Sequence, residues 1–123
     1  MIDLDSADDR RRRAARLQAG YYVVTGVWPL VHRRSFERVT GPKVDFWLVR
    51  TVGVLVSAIG AGLALGARRR VSSELEATAI LAAVGLAAID VAEVARGRVS
   101  PVYLADALLE AALVAYWRGG RQH

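Results

Sequence analysis

The chain has 123 residues, which suits one domain, with 54% hydrophobic residues, 24% charged residues and a formal net charge of +5. It has no cysteine, which excludes disulfides, thiolate metal ligands and cysteine nucleophiles, and only two histidines, His32 and His123. With only two histidines, the sequence gives no basis for a two-histidine metal site or a Ser-His-Asp relay. We therefore expect neither a metal nor a cofactor. Lys43 is the one lysine among 17 basic residues, a bias typical of a GC-rich prokaryotic genome.

The charged residues fall in clusters that separate four apolar stretches. Residues 17–31, 51–67 and 77–89 carry no charge, and residues 102–117 carry only Asp106 and Glu110. This layout is typical of four membrane helices joined by basic connections. A helix needs about 20 residues to cross the hydrocarbon core, so each stretch must extend into its charged flanks. We predict an all-α, single transmembrane domain over residues 1–123 with spans near 6–32, 44–67, 74–96 and 100–118.

The second predicted span distinguishes a membrane bundle from a soluble four-helix bundle. Its residues 51–67 have no polar face, and a helix that is apolar all round is buried in a large protein or in lipid. Small residues at four-residue spacing favour close helix contact in lipid. We predict that this span packs through its small residues and makes its closest helix contact through Gly62 or Gly66. The packing candidates are Gly53, Ser57, Gly62 and Gly66.

Four spans in an up-down-up-down bundle place both termini on one side of the membrane. Ten basic residues fall on that side and seven on the other, so the positive-inside rule predicts that both termini are cytoplasmic. We expect a multi-pass protein of a prokaryotic cell membrane. The basic residues suit topology and lipid headgroups, and without an aromatic-rich groove we expect no nucleic-acid partner.

Three charged residues reach a similar depth in the non-cytoplasmic leaflet. Asp90, Asp106 and Arg50 each lie five or six residues inside the expected end of a span, roughly 7.5 to 9 Å deep. Spacings of three or four residues put Glu93 beside Asp90, and Tyr103 and Glu110 beside Asp106. We predict that these groups converge. Further candidates at the same interface are Trp28, His32 and Asp45.

The predicted cluster has two interpretations. Arg50 and one or two acids could form a buried ion pair that only fixes packing, with Glu93 reaching towards Arg96 or Arg98. Four carboxyl groups nevertheless face one arginine, and like-charge repulsion with desolvation favours the protonated form of at least one. A site for a proton or a cation is the functional hypothesis.

These features predict a small membrane module that binds, or helps to transport, a proton, an organic cation or a lipid-like ligand. One alternative is a membrane enzyme on a lipid-like substrate, with an Asp or Glu as general acid or base. Another is a structural or assembly subunit whose glycine-rich span packs on a partner. A homo-oligomer is left open by all three.

Overall fold

The computed structural model describes residues 3–41 and 45–119, with side chains from residue 8 onwards. Within these ranges it contains five helices and no strand, so the prediction of an all-α chain is confirmed. The predicted start of the second span, residue 44, lies outside the described residues. The helices are α1 (Asp3–Val31), α2 (Arg33–Thr40), α3 (Phe46–Gly66), α4 (Ser73–Ala95) and α5 (Tyr103–Gly119).

The ends of α4 follow from local capping chemistry. Ser72 is the N-cap, and its hydroxyl oxygen accepts a hydrogen bond from the Leu75 N–H at 3.1 Å. At the other end Gly97 has a φ of 72°, and the N–H groups of Gly97 and Arg98 donate to the carbonyls of Val94 and Glu93. This is a Schellman motif, which needs glycine at the left-handed position. It turns the chain sharply from α4 into α5.

Helix α2 is a short element that the sequence analysis does not predict. His32 caps it, because its Nδ1 accepts a hydrogen bond from the Ser35 N–H at 3.2 Å. Phe36 packs edge-on against Trp28 at 5.3 Å and Phe46 at 6.4 Å between ring centroids. Helix α2 therefore links the end of α1 to the start of α3 through aromatic contacts.

The four long helices form two closely packed antiparallel pairs, α1 with α3 and α4 with α5. The two pairs touch each other less extensively. Their shared apolar core lies at the end of the molecule that holds the first half of α1 and the last turns of α3 and α5. The buried residues of this core are Ala14, Ala15, Ala19, Leu63, Ala67, Val71, Ala79 and Trp117.

Glycines set the close approach of α1 to α3. A Cβ added to Gly53 would lie 2.6 Å from the Gly26 carbonyl oxygen, and one added to Gly60 would lie 3.0 Å from the Ala19 carbonyl oxygen. Neither backbone oxygen can move aside without separating the helices. Ser57 lies on the same face, between these two contacts, and approaches Gly26.

Of the two glycines predicted to make the closest contact, Gly62 or Gly66, the first faces no neighbour in the described part of the chain. Nothing there lies within 4 Å of a Cβ added to Gly62, because Gly62 is two positions, or about 200°, round the helix from the buried Gly60. Gly66 does face a neighbour, but its contact is the flexible end of the Leu75 side chain on α4. The close backbone contacts of α3 are therefore made through Gly53 and Gly60 against α1.

Two helices, α3 and α4, are long and apolar enough to cross a membrane. Among the described residues, α1 and α5 do not meet the same standard: α1 carries five arginines between residues 10 and 16, and α5 has only 17 residues. In each apolar window of α3 and α4, 17% of the residues are buried. Most of their apolar side chains therefore face outward.

We expect Gly53→Ala and Gly60→Ala to destabilise the protein by about 1 to 3 kcal/mol each, the usual cost of overpacking. The added methyl group meets a backbone oxygen across the α1–α3 contact. Denaturant unfolding of the purified variants, followed by circular dichroism, measures the change. Gly62→Ala is the matched control on the same helix, and it should leave stability unchanged or slightly raised. Equal losses in all three variants would contradict the packing described above.

Candidate functional site

Two adjacent tyrosines of α1 donate hydrogen bonds to two carboxyl groups of α5. The Tyr22 hydroxyl donates to Glu110 Oε1 at 2.7 Å, and the Tyr21 hydroxyl donates to Asp106 Oδ1. Asp106 and Glu110 are four residues apart and so lie one above the other on the same face of α5. Both bonds cross from one helix pair to the other.

Asp90 of α4 completes a cluster of three carboxyl groups. Its side chain lies close enough to that of Asp106 to interact with it electrostatically, and Asp106 interacts in the same way with Glu110. Asp90 is 8% exposed and Glu110 is 1% exposed, while Asp106 is half-buried. The Oδ2 atom of Asp90 is fully buried and has no hydrogen-bond donor among the described residues. We call Asp90, Asp106 and Glu110 the carboxyl cluster.

The carboxyl cluster has no basic partner in the described part of the chain. The ion pairs found there join arginines to other acids, such as Arg11 to Glu76 at 3.3 Å and Arg12 to Asp9 at 3.0 Å. Three ionised carboxylates that interact with one another would repel strongly in a dehydrated interior. The arrangement can be accommodated chemically if protons are shared between the carboxyl groups.

A buried hydrogen-bonded chain continues from the cluster along α1. Tyr22 interacts with Gln18, whose Oε1 accepts from Trp117 Nε1 at 2.7 Å and whose Nε2 donates to the Ala79 carbonyl at 3.0 Å. Gln18 is 0% exposed, so its amide must be fully paired inside the protein. Gln18 thereby joins α1 to both α4 and α5.

Arg50 is a predicted member that the structure does not bring to the cluster. Its side chain is exposed on α3 and makes no ion pair with a described carboxylate. The reason lies in the pairing of the helices: α3 packs on α1, and its contact with α4 is much smaller. The predicted neutralisation of one acid by Arg50 has no counterpart in this geometry.

Glu93 and Tyr103 also have other partners. Glu93 forms ion pairs with Arg96 at 3.4 Å and Arg98 at 3.7 Å, as in the structural interpretation of the sequence. Tyr103 lies in the first turn of α5, where its hydroxyl interacts with Thr40 of α2. Tyr103 also interacts electrostatically with Asp90 and Asp106, so it borders the carboxyl cluster.

The remaining candidates lie around α2. Trp28 Nε1 donates to the Ser35 hydroxyl oxygen at 2.8 Å, and His32 caps the same helix through Ser35. Asp45 is exposed at the N-cap position of α3 and makes no side-chain capping bond. The contacts of Trp28 and His32 with Ser35 fix the start of α2 against the end of α1.

Tyr21, Tyr22 and Gln18 are members of the site that the sequence reasoning missed. All three lie in the uncharged part of α1, where two adjacent tyrosines and an amide interrupt apolar residues. Tyrosine and glutamine side chains are uncharged, so the pattern of charged residues does not indicate them as members of the site. A search for buried donors opposite the acids would have found them.

Two surface grooves accompany the site, and none of the three cluster carboxyl groups lines either of them. One, of about 550 Å³, lies at the end of α3 beside Arg68 and Arg69. The other, of about 290 Å³, lies between α1 and α5 and is lined mainly by apolar side chains.

Comparison with protein-family models, curated proteins and solved structures gives no match.

We expect Tyr22→Phe to destabilise the protein by about 1 to 3 kcal/mol, because it leaves the buried Glu110 without its donor. Chemical denaturation of the purified protein measures this loss. Tyr116→Phe is the matched control: its hydroxyl accepts from Arg13 at an exposed position and should cost no more than about 1 kcal/mol. A Tyr22→Phe variant as stable as the wild type would show that Glu110 does not depend on this bond.

Proposed function

We propose that the chain is a small integral membrane protein in which four long helices span the bilayer and an interior carboxyl cluster binds protons. The support for the membrane setting is the outward-facing apolar surface of α3 and α4. A core helix of a soluble protein would bury most of such a surface, whereas only 17% of each apolar window is buried here. Contact with lipid would cover the apolar surface of α3 and α4 that the protein leaves exposed.

The distribution of charge supports the same setting. At one end of the bundle Arg11 forms an ion pair with Glu76, and Arg70 forms one with Asp8. At the other end Glu93 forms ion pairs with Arg96 and Arg98. Between these two charged ends the exposed surface consists of residues such as Val52, Leu55, Val84 and Leu108. An apolar belt between two charged ends is the surface that a bilayer requires.

Helices α1 and α5 are less suited than α3 and α4 to crossing the bilayer, since α5 is short and half of α1 is charged. The described length of α5, 17 residues, corresponds to about 25 Å. This is slightly less than the roughly 30 Å of hydrocarbon, a mismatch that thinning of the bilayer or snorkelling accommodates. In α1 the uncharged half after Arg16 would span, and the charged half would project into the cytoplasm. The arginine bias of the sequence supports cytoplasmic termini and a prokaryotic cell membrane.

The carboxyl cluster supports a proton as the bound species. An organic cation needs a cavity, and neither described groove is lined by Asp90, Asp106 or Glu110. A proton needs only adjacent acceptors, which the three carboxyl groups provide. Intramembrane acids are expensive and are typical of proton pathways, so a cluster without a counter-cation favours binding over a purely structural role.

The membrane setting predicts that arginine in place of valine impairs membrane insertion at one of two equally exposed positions and not at the other. Val84, at the middle of α4, is 51% exposed, and Val39, on α2, is 49% exposed. In a bilayer, Val84→Arg should cost about 2.5 to 3.5 kcal/mol of insertion free energy, while Val39→Arg, outside the spans, should have little effect. In a soluble protein both surface changes would be nearly neutral.

Carbonate extraction and flotation of membranes measure this difference. The wild type and Val39→Arg should stay with the membrane pellet, and Val84→Arg should be depleted from it. Recovery of the wild type as a soluble monomer would overturn the membrane proposal.

Proton binding can be tested by infrared spectroscopy of the protein in lipid vesicles. We expect a carbonyl band of protonated carboxyl groups that persists at neutral pH and weakens in Asp90→Asn, Asp106→Asn and Glu110→Gln. Asn and Gln keep the shape of each side chain and remove its titration.

Glu93→Gln is the matched control, since Glu93 lies one turn from Asp90 and forms ion pairs with arginines. It should leave the band unchanged. A band that survives in all three cluster variants, or is lost in Glu93→Gln, would overturn the proton site.

A further inference from the structure

The groove between α1 and α5 has a basic mouth. Arg10 Nε donates to the Tyr116 carbonyl oxygen at 3.1 Å, and its guanidinium lies 4.3 Å from the centroid of the Tyr116 ring. Arg13 Nε donates to the Tyr116 hydroxyl at 3.1 Å. Two guanidinium groups therefore converge on one aromatic residue that lines the groove. The groove residues are Leu17, Tyr21, Leu109, Ala112, Leu113 and Tyr116.

Arg10 and Arg13 differ from the two arginines between them. Arg11 is paired with Asp8 and Glu76, and Arg12 is paired with Asp9. Neither Arg10 nor Arg13 forms an ion pair with a described carboxylate. Both bond Tyr116, and Arg13 also has an electrostatic interaction with Asp9 that is too distant for an ion pair. Their positive charge is therefore available to an anion at the groove mouth.

Helical spacing makes the mouth and the groove one continuous site. Residues 10, 13, 17 and 21 follow one another at intervals of three or four, so they form a single stripe along α1. The stripe changes from basic to apolar at Leu17, which is 58% exposed. A molecule that lies along it needs a charged anionic head next to an apolar tail.

We propose that this groove binds an anionic phospholipid, with one acyl chain between α1 and α5 and the phosphate at Arg10 and Arg13. The proposal rests on the membrane setting proposed above. The groove shares Tyr21 with the carboxyl cluster, but lipid binding does not depend on proton binding there. At the end of the spans where α1 becomes basic, the phosphate depth and the arginines coincide. Guanidinium groups present several donors that suit phosphate oxygens.

The test measures lipid binding to the detergent-solubilised full chain by native mass spectrometry. The probes are phosphatidylglycerol and phosphatidylcholine with the same acyl chains, together with soluble glycerol phosphate. We expect phosphatidylglycerol to bind more tightly than phosphatidylcholine, and glycerol phosphate not to compete. Combining Arg10→Gln with Arg13→Gln should weaken phosphatidylglycerol binding about 25-fold, since each basic residue near an anionic headgroup contributes about fivefold.

Two matched controls separate a site from general attraction. Combining Arg16→Gln with Arg118→Gln removes the same charge from exposed arginines that do not bond Tyr116, and should leave binding unchanged. Ala112→Trp should fill the groove and reduce binding at least tenfold, while Ala111→Trp, on the next position outside the groove, should not.

Some results would overturn the lipid site in particular. These are equal binding of the two lipids, equal loss in both double arginine variants, full binding by Ala112→Trp, or competition by glycerol phosphate. Failure of the membrane setting would be distinguishable, because it appears in the carbonate extraction of the wild type.

Discussion

The two helix pairs are joined by side-chain hydrogen bonds from one face of α1. Gln18, Tyr21 and Tyr22 reach across to α4 and α5, and the apolar contact between the pairs is confined mainly to one end of the molecule. In lipid, apolar surfaces give little drive for association, and interhelical hydrogen bonds contribute about 0.6 kcal/mol each on average. Several such bonds from one helix face add up, so the relative position of the two pairs depends on them.

The same bonds are compatible with the proton binding proposed for the carboxyl cluster. A tyrosine hydroxyl donates to a carboxylate, and it can equally donate to the carbonyl oxygen of a protonated carboxyl group. The bonds from Tyr21 and Tyr22 therefore suit either protonation state of Asp106 and Glu110. Among the described residues, Oδ2 of Asp90 has no such donor, so this buried atom can carry a proton without giving up a hydrogen bond. Structural anchoring and proton binding are thus compatible within one cluster.

The sequence predicts the helical class and includes all three acids of the carboxyl cluster among its candidates, because charge gaps and helical spacing are local properties. It cannot predict which helices pair. Arg50 and Asp90 have similar depth, but depth leaves the angle round the bundle undefined, and α3 packs on α1 instead. The same limit applies to Gly62, which shares the composition of the packed glycines but faces the other way. Partners such as Tyr22 and Glu110 are 88 residues apart, and only the assembled fold brings them together.

The hydrogen-bond donors and the acids come from different parts of the chain. Tyr21 and Tyr22 belong to the first helix, and Asp90, Asp106 and Glu110 to the last two. During synthesis from the N-terminus, the two tyrosines therefore leave the ribosome before the three acids, and in the proposed bilayer they would be inserted first. A carboxyl group that enters hydrocarbon meets a waiting partner, so the time for which it stays unsatisfied is short. If the helices followed one another in the reverse order along the chain, the acids would be inserted before their tyrosine donors.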